Sequence, residues 1–169
     1  MLFNLVLLYP LTKEATKPVS NRRGYFIWYN TPMIQDFIED IAPEDYKTRG
    51  GYTPAKKIDL GNYYLIFVSG IQAPKDDQHR VITDDIEKQT KLVFEDIIKI
   101  LKLANATIDD VVKAVVYVTD MDDFNKISKI RSEYFRNSKP VSTLIEANRM
   151  TRDGAKIEIE VTAIVKKAH

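Results

Sequence analysis

The order in which two kinds of apolar pattern follow one another from Tyr52 onward constrains this chain more than any single motif. "YTPAKKIDLGN" reads as a strand and a tight turn. "YYLIFVSG", Tyr63–Gly70, is nearly all apolar, which predicts a strand covered on both faces. "DDIEKQTKLVFEDIIKILKLAN" then switches to helical spacing. Ile86, Thr90, Val93, Phe94, Ile97, Ile98 and Leu101 line one face, Asp84 with Glu87 reads as a capping box, and Asn105 reads as the stop. "VVKAVVYVTD" is the next strand. "MDDFNKISKIRSEYF" is a second helix, with Phe124, Ile127, Ile130 or Arg131, and Tyr134 near one face. Two further strands lie in "KPVSTLIEANRMTRDGAKIEIEVTAIV", joined by a polar turn that contains Gly154. The order is β-β-α-β-α-β-β. It predicts an α/β (α+β) domain, a sheet with two helices packed on one face.

The preceding residues read as an N-terminal extension over 1–51, with the main domain at 52–169. "LFNLVLLY" predicts a buried strand ending at Pro10, and the aromatic-rich "YFIWYN" predicts a second. In "TPMIQDFIEDI", Thr31 suits an N-cap and Pro32 the first helical position. Ile34, Phe37, Ile38 and Ile41 then follow the spacing of a short helix with one buried face. The apolar start has no basic residue before it and no small-residue cleavage site after it, which argues against a signal peptide. It is too short to span a bilayer.

The 169 residues favour one domain, and a hydrophobic fraction of 44% supplies a core. The net charge of +1 gives no electrostatic footprint for a nucleic-acid partner, which is not expected. The absence of cysteine excludes disulfides, thiol catalysis and thiolate metal sites, and fits a reducing, cytoplasmic setting. Only two histidines exist, His79 in the polar loop "PKDDQHRV" and His169 at the end of the chain. Neither has a Gly-x-Ser-x-Gly elbow to work with, and HExxH, P-loop and GxGxxG patterns are absent. No metal, cofactor or membrane role is expected.

The carboxylates of the last two strands carry the sharper question. In "AKIEIEVTAIV", Ile157, Ile159 and Val161 share one face, and Glu158 and Glu160 the other. These two are either solvent-side residues or residues of a cleft, where Glu158 would act as a general base within reach of water. Tyr52 is either a packing aromatic at a strand start or part of a site. Ser69 and Gly70 either end a strand or offer close backbone approach to a ligand.

"YTPA", "FVSGIQ", "TIDDVVKAVVYVTDMDDF", "KPVSTLIEANRM" and "KIEIEVTAIV", in this order, resemble the Rid family, also called YjgF or L-PSP, over Tyr52 to Val165. The resemblance implies a chorismate-mutase-like fold and a homotrimer with a ligand site in each cleft between subunits. It also implies a small-molecule ligand, with carboxylates the leading class. The best characterised branch hydrolyses enamines and imines to 2-oxo acids and ammonia. There an arginine binds the substrate carboxylate, a strand glutamate positions water, and a tyrosine and a loop serine or glycine shape the pocket. Carried onto this chain, the glutamate is Glu158, the tyrosine Tyr52 and the loop pair Ser69 and Gly70.

Two positions depart from that pattern. The arginine falls on Ser142 and a second-helix asparagine on Ser128. A serine offers one donor and no charge where a guanidinium would form a bidentate pair. Arg149 and Arg152 are near in sequence and would serve only if the fold turned one inward. The expectation is therefore a trimeric metabolite protein with Glu158 as base and Ser142, Tyr52, Ser69, Gly70 and Ser128 around the ligand. It is either a hydrolase of a labile nitrogen compound or a non-catalytic binding or regulatory trimer. RNA cleavage, ascribed to some family members, is a weaker third reading.

Overall fold

The structure is a computed structural model, and it describes residues 19–20, 26–27, 34–44, 46, 51–78 and 80–167. The chain divides into two units, residues 1–34 and 35–169. In the first, β1 (Val19–Ser20) pairs antiparallel with β2 (Phe26–Ile27). The expected strand "LFNLVLLY" and both histidines lie outside the described residues.

The second unit is built on a six-stranded sheet. Its strands are β3 (Ile38–Ile41), β4 (Ala55–Asp59), β5 (Tyr63–Gln72), β6 (Val111–Val118), β7 (Val141–Glu146) and β8 (Ile157–Lys166). The spatial order is β3-β4-β5-β8-β6-β7, and every pairing is antiparallel except β6 with β7. The helices α1 (Ile86–Leu103) and α2 (Phe124–Tyr134) connect β5 to β6 and β6 to β7. Both crossovers join strands running the same way and move in the same direction along the sheet. Since such connections are right-handed, both helices land on one face. The core lies there, between Ile66, Val116, Ile157 and Ile159 of the sheet and Val93, Phe94, Ile97 and Ile127 of the helices, all fully buried. Phe94 locks α1 to α2 by stacking on Tyr134 at 4.3 Å and meeting Phe135 edge-on at 5.1 Å.

Four local expectations are corrected. The segment after Ile34 is a single 3-10 turn, Ile34–Phe37, and not a helix to Ile41; Ile38–Ile41 instead pairs with β4. The periodicity of the isoleucines was compatible with either, and the open edge of β4 decided it, leaving Ile34 exposed. The α1 N-cap is Asp85, not Asp84, its carboxylate accepting from the Glu87 and Lys88 amides. On α1, Gln89 and Ile100 are buried and Ile98 is only half-buried. Gln89 is satisfied throughout. It donates to the Thr83 and Gly154 carbonyls and accepts from the Lys156 amide. Finally, among the described residues β5 is covered by helices on one face only. Phe67, on the other, is 46% exposed, alongside exposed Ile145 and Ile164. Asn105 does end α1, in a left-handed conformation with φ 60°.

Candidate functional site

The two strands of the final segment are not a hairpin. β8 inserts between β5 and β6, whereas β7 lies outside β6, so the connection 147–156 crosses the end of β6. Alternation along β8 turns Ile157, Ile159 and Val161 into the core and Glu158 and Glu160 to the helix-free face.

At Glu158 the neighbouring strand is irregular. Val68 pairs with Val161 and Ile71 with Ile159, so Ser69 and Gly70 together oppose Glu160 alone. This is a β-bulge, a device that re-aims side chains at sites. It also explains why "FVSGIQ" loses its alternation. Beyond the bulge Gln72 is the partner of Glu158, and its side-chain amide donates to the Glu158 carboxylate. The second amide contact of Gln72 is to Thr151 Oγ1 at 2.8 Å, and Gln72 Oε1 accepts from the Arg152 amide at 3.1 Å. The carboxylate lies across Gly70 so closely that a side-chain carbon built there would overlap it. A glycine is needed here for space, not for an unusual φ.

Arg152 does turn inward. It is half-buried, and its Nη1 donates to the carbonyls of Gln72 and Ala73 at 2.9 and 2.8 Å. That fastens the 147–156 connection to the end of β5. The Arg152 charge also reaches Tyr46, whose hydroxyl is hydrogen-bonded to Tyr52. Burial and the bond to Tyr52 push the Tyr46 phenol up to about 12, the positive charge of Arg152 working in the opposite direction. Tyr52 itself is 57% exposed. With Ser69, Phe67, Lys113 and Glu160 it lines a groove of about 550 Å³ on the helix-free face. Gln72 and Tyr46 are members of this neighbourhood that residue-type reasoning missed. The bulge hides the alternation that would have exposed Gln72, and Tyr46 lies in what reads as a linker.

Ser142 is elsewhere. Its partner on β6 is Ala114, a core residue, so it sits on the helix side of an outer strand. Its hydroxyl accepts from Arg131 Nη1 at 3.2 Å. The helix position left open between Ile130 and Arg131 resolves accordingly. Ile130 is buried and Arg131 reaches across to β7. Ser128 is on α2, its Oγ buried without a hydrogen-bond partner. The chain therefore brings Glu158, Gly70 and Gln72 together, with Ser69 and Tyr52 along one groove. It does not bring Ser142 to them.

Among the described residues no group of acidic or histidine side chains could hold a metal ion, and no helix is long and apolar enough to cross a membrane.

Comparison with known proteins agrees with this fold. The family model described as Endoribonuclease L-PSP matches residues 43–165. A RutC family protein of Pyrococcus abyssi is 42% identical over 122 residues, covering 72% of this chain and 90% of its own. TdcF of Escherichia coli, named as a reactive intermediate deaminase, is 30% identical over 110 residues, covering 63% of this chain and 82% of its own. The crystal structure of TdcF with bound serine matches with a TM-score of 0.63 at 25% identity, over 76% of this chain and 99% of that one. A YjgF/YER057c/UK114 family structure from Mycobacterium tuberculosis matches with a TM-score of 0.64 at 26% identity, over the same shares. The β-β-α-β-α-β-β core, the matched span and these relatives together show that the chain belongs to the Rid (YjgF/L-PSP) family.

Proposed function

We propose that this chain hydrolyses a small reactive imine or enamine, with Glu158 as general base, in clefts between the subunits of a cytoplasmic homotrimer. The observation that carries the reading is the Glu158 carboxylate. It is held by the Gln72 amide over the bare backbone of Gly70, on the sheet face opposite α1 and α2. A carboxylate positioned by a neutral donor keeps acceptor capacity for a water molecule.

In the proposed step, Glu158 takes a proton from water as the water oxygen bonds to the imine carbon. The C=N electron pair moves to nitrogen, which gains a proton. That proton is the one Glu158 took from water; in the resulting carbinolamine the hydroxyl proton then passes through Glu158 to nitrogen as the C–N bond breaks, leaving a carbonyl compound and ammonia. The sequence relationship to TdcF, a protein named for deamination, supports the class of reaction. The trimer is supported by the exposed apolar residues Phe67, Ile145 and Ile164 on the helix-free face, which burial against other copies would remove from water. Association also offers a way for Ser142 of one copy to approach Glu158 of another.

The test is hydrolysis by the purified 169-residue chain of 2-iminobutyrate, generated in situ by a threonine dehydratase, with ammonia and oxo-acid release timed. Acceleration over buffer that falls about a hundredfold or more in Glu158→Gln is expected. No acceleration would sink the hydrolase reading and favour the binding alternative if carboxylates still shift the melting temperature.

A further inference from the structure

A second groove lies away from Glu158, where the last turn of α2 passes the start of β7. It has a volume of about 410 Å³, and its walls include Arg131, Arg136, Lys139, Phe135 and Ser142. Three of these are cations, and no carboxylate lines the groove. Elsewhere, Lys56, Lys57, Lys99, Lys126 and Lys167 each hold a carboxylate within 2.9 Å. Among the described residues none of the groove cations has such a partner. Arg152, the other inward arginine, is already engaged by two carbonyls.

Arg131 is distinct within the groove. It is half-buried, and its Nη1 is anchored on Ser142 Oγ at 3.2 Å. That bond uses one of the five guanidinium donors and leaves the remainder for a planar acceptor. Ser142 accepts in it, so its own hydroxyl proton stays available. The two together present a fork and a hydroxyl donor toward the same space. Phe135, buried at the base of the groove, gives it an apolar floor.

We propose that the α2–β7 groove is a carboxylate-binding site in which Arg131, propped by Ser142, is the clamp. The positive charge that the family pattern places on the strand at position 142 is then supplied here from the helix. That this carboxylate belongs to the substrate rests on the function proposed above; the anion site itself does not.

A plainer role exists for Arg131. A cation in the last turn of a helix favours the negative end of its dipole. Lysine fills that role equally but lacks the fork, and this separates the two. Binding of 2-oxobutyrate to the 169-residue chain is measured by calorimetry, beside its uncharged analogue 2-butanone. The expected result is binding of the oxo acid alone, weakened about tenfold or more in both Arg131→Lys and Arg131→Gln. Arg131→Lys should melt, without ligand, at the wild-type temperature. Binding within twofold of wild type in either variant overturns the proposal, as does wild-type protein that binds 2-butanone as well as the oxo acid. Binding without turnover leaves this site standing and removes only the hydrolase. Turnover of 2-iminobutyrate with an unchanged KM in Arg131→Gln does the reverse.

Discussion

Gln72 and Glu158 face each other across β5 and β8, and the buried amide of Gln72 donates to the Glu158 carboxylate while its oxygen accepts from the Arg152 backbone. One side chain therefore sets both the orientation of the carboxylate and the position of the connection beside it. Gln72→Leu would strip two donors and an acceptor from their partners. A loss of about 1–3 kcal/mol is expected in urea unfolding. Activity should fall further than stability, because Glu158 loses its anchor. Gln72→Glu would instead set two carboxylates against each other. One of the pair should then titrate higher, moving the acid limb of the pH–rate profile upward.

Gly70→Ala separates the site from the fold. The atoms nearest the added carbon all belong to the Glu158 side chain, from Cγ to the carboxylate, and that side chain can swing away. Little change in melting temperature is expected, with kcat lower by about a hundredfold through displacement of the carboxylate. Equal losses of stability and activity would show that the glycine has a wider structural role.

Tyr46 gives a pH signature. Its phenol is held up to about 12 in the folded protein, first by burial and then by the bond to Tyr52. A group whose folded value is raised contributes stability below its unfolded value, and that contribution is lost as pH rises through the folded value. The protein should therefore lose stability between about pH 10 and pH 12, and Tyr46→Phe should lose less over that window. Tyrosinate absorbance should show one late-ionising phenol fewer in the variant.

The α1 cap distinguishes two adjacent aspartates. Asp85→Ala should cost about 1 kcal/mol, since its carboxylate serves two otherwise unpaired amides, whereas Asp84→Ala should cost well under that. Thermal unfolding of the two variants checks the assignment.

The helix-free face supplies the assembly test. Phe67→Glu places a charge among exposed apolar residues and should leave the isolated subunit folded while converting a trimer to monomers in sedimentation velocity. An unchanged sedimentation coefficient would remove this face from the interface.

Most of the sheet-and-helix order was readable because each element carried one clear period. The alternation of β8 placed Glu158 opposite the core, and the stripe on α1 placed Val93, Phe94 and Ile97 within it. What was not readable depended on partners distant in sequence. Ile38–Ile41 became a strand because β4 had an edge to offer, a fact absent from the segment itself. Gln72 is defined by a bulge and by Thr151, 79 positions away. Arg131 and Ser142 lie only 11 positions apart, but they meet through the turn that the short connection between α2 and β7 takes, which neither residue encodes. Counting positions from a proline could find Ser142 but not the helix residue that touches it.

The bulge at Ser69 and Gly70 has one more consequence. Removing one of its two residues would restore an unbroken ladder and still leave Ile71 opposite Ile159 and Gln72 opposite Glu158. Core packing downstream would not have to be redesigned. The extra peptide is thus a detachable module. Chains that share this scaffold can gain, lose or reshape the rim beside the glutamate by a single insertion or deletion, and so diversify what they accept without renegotiating how they fold.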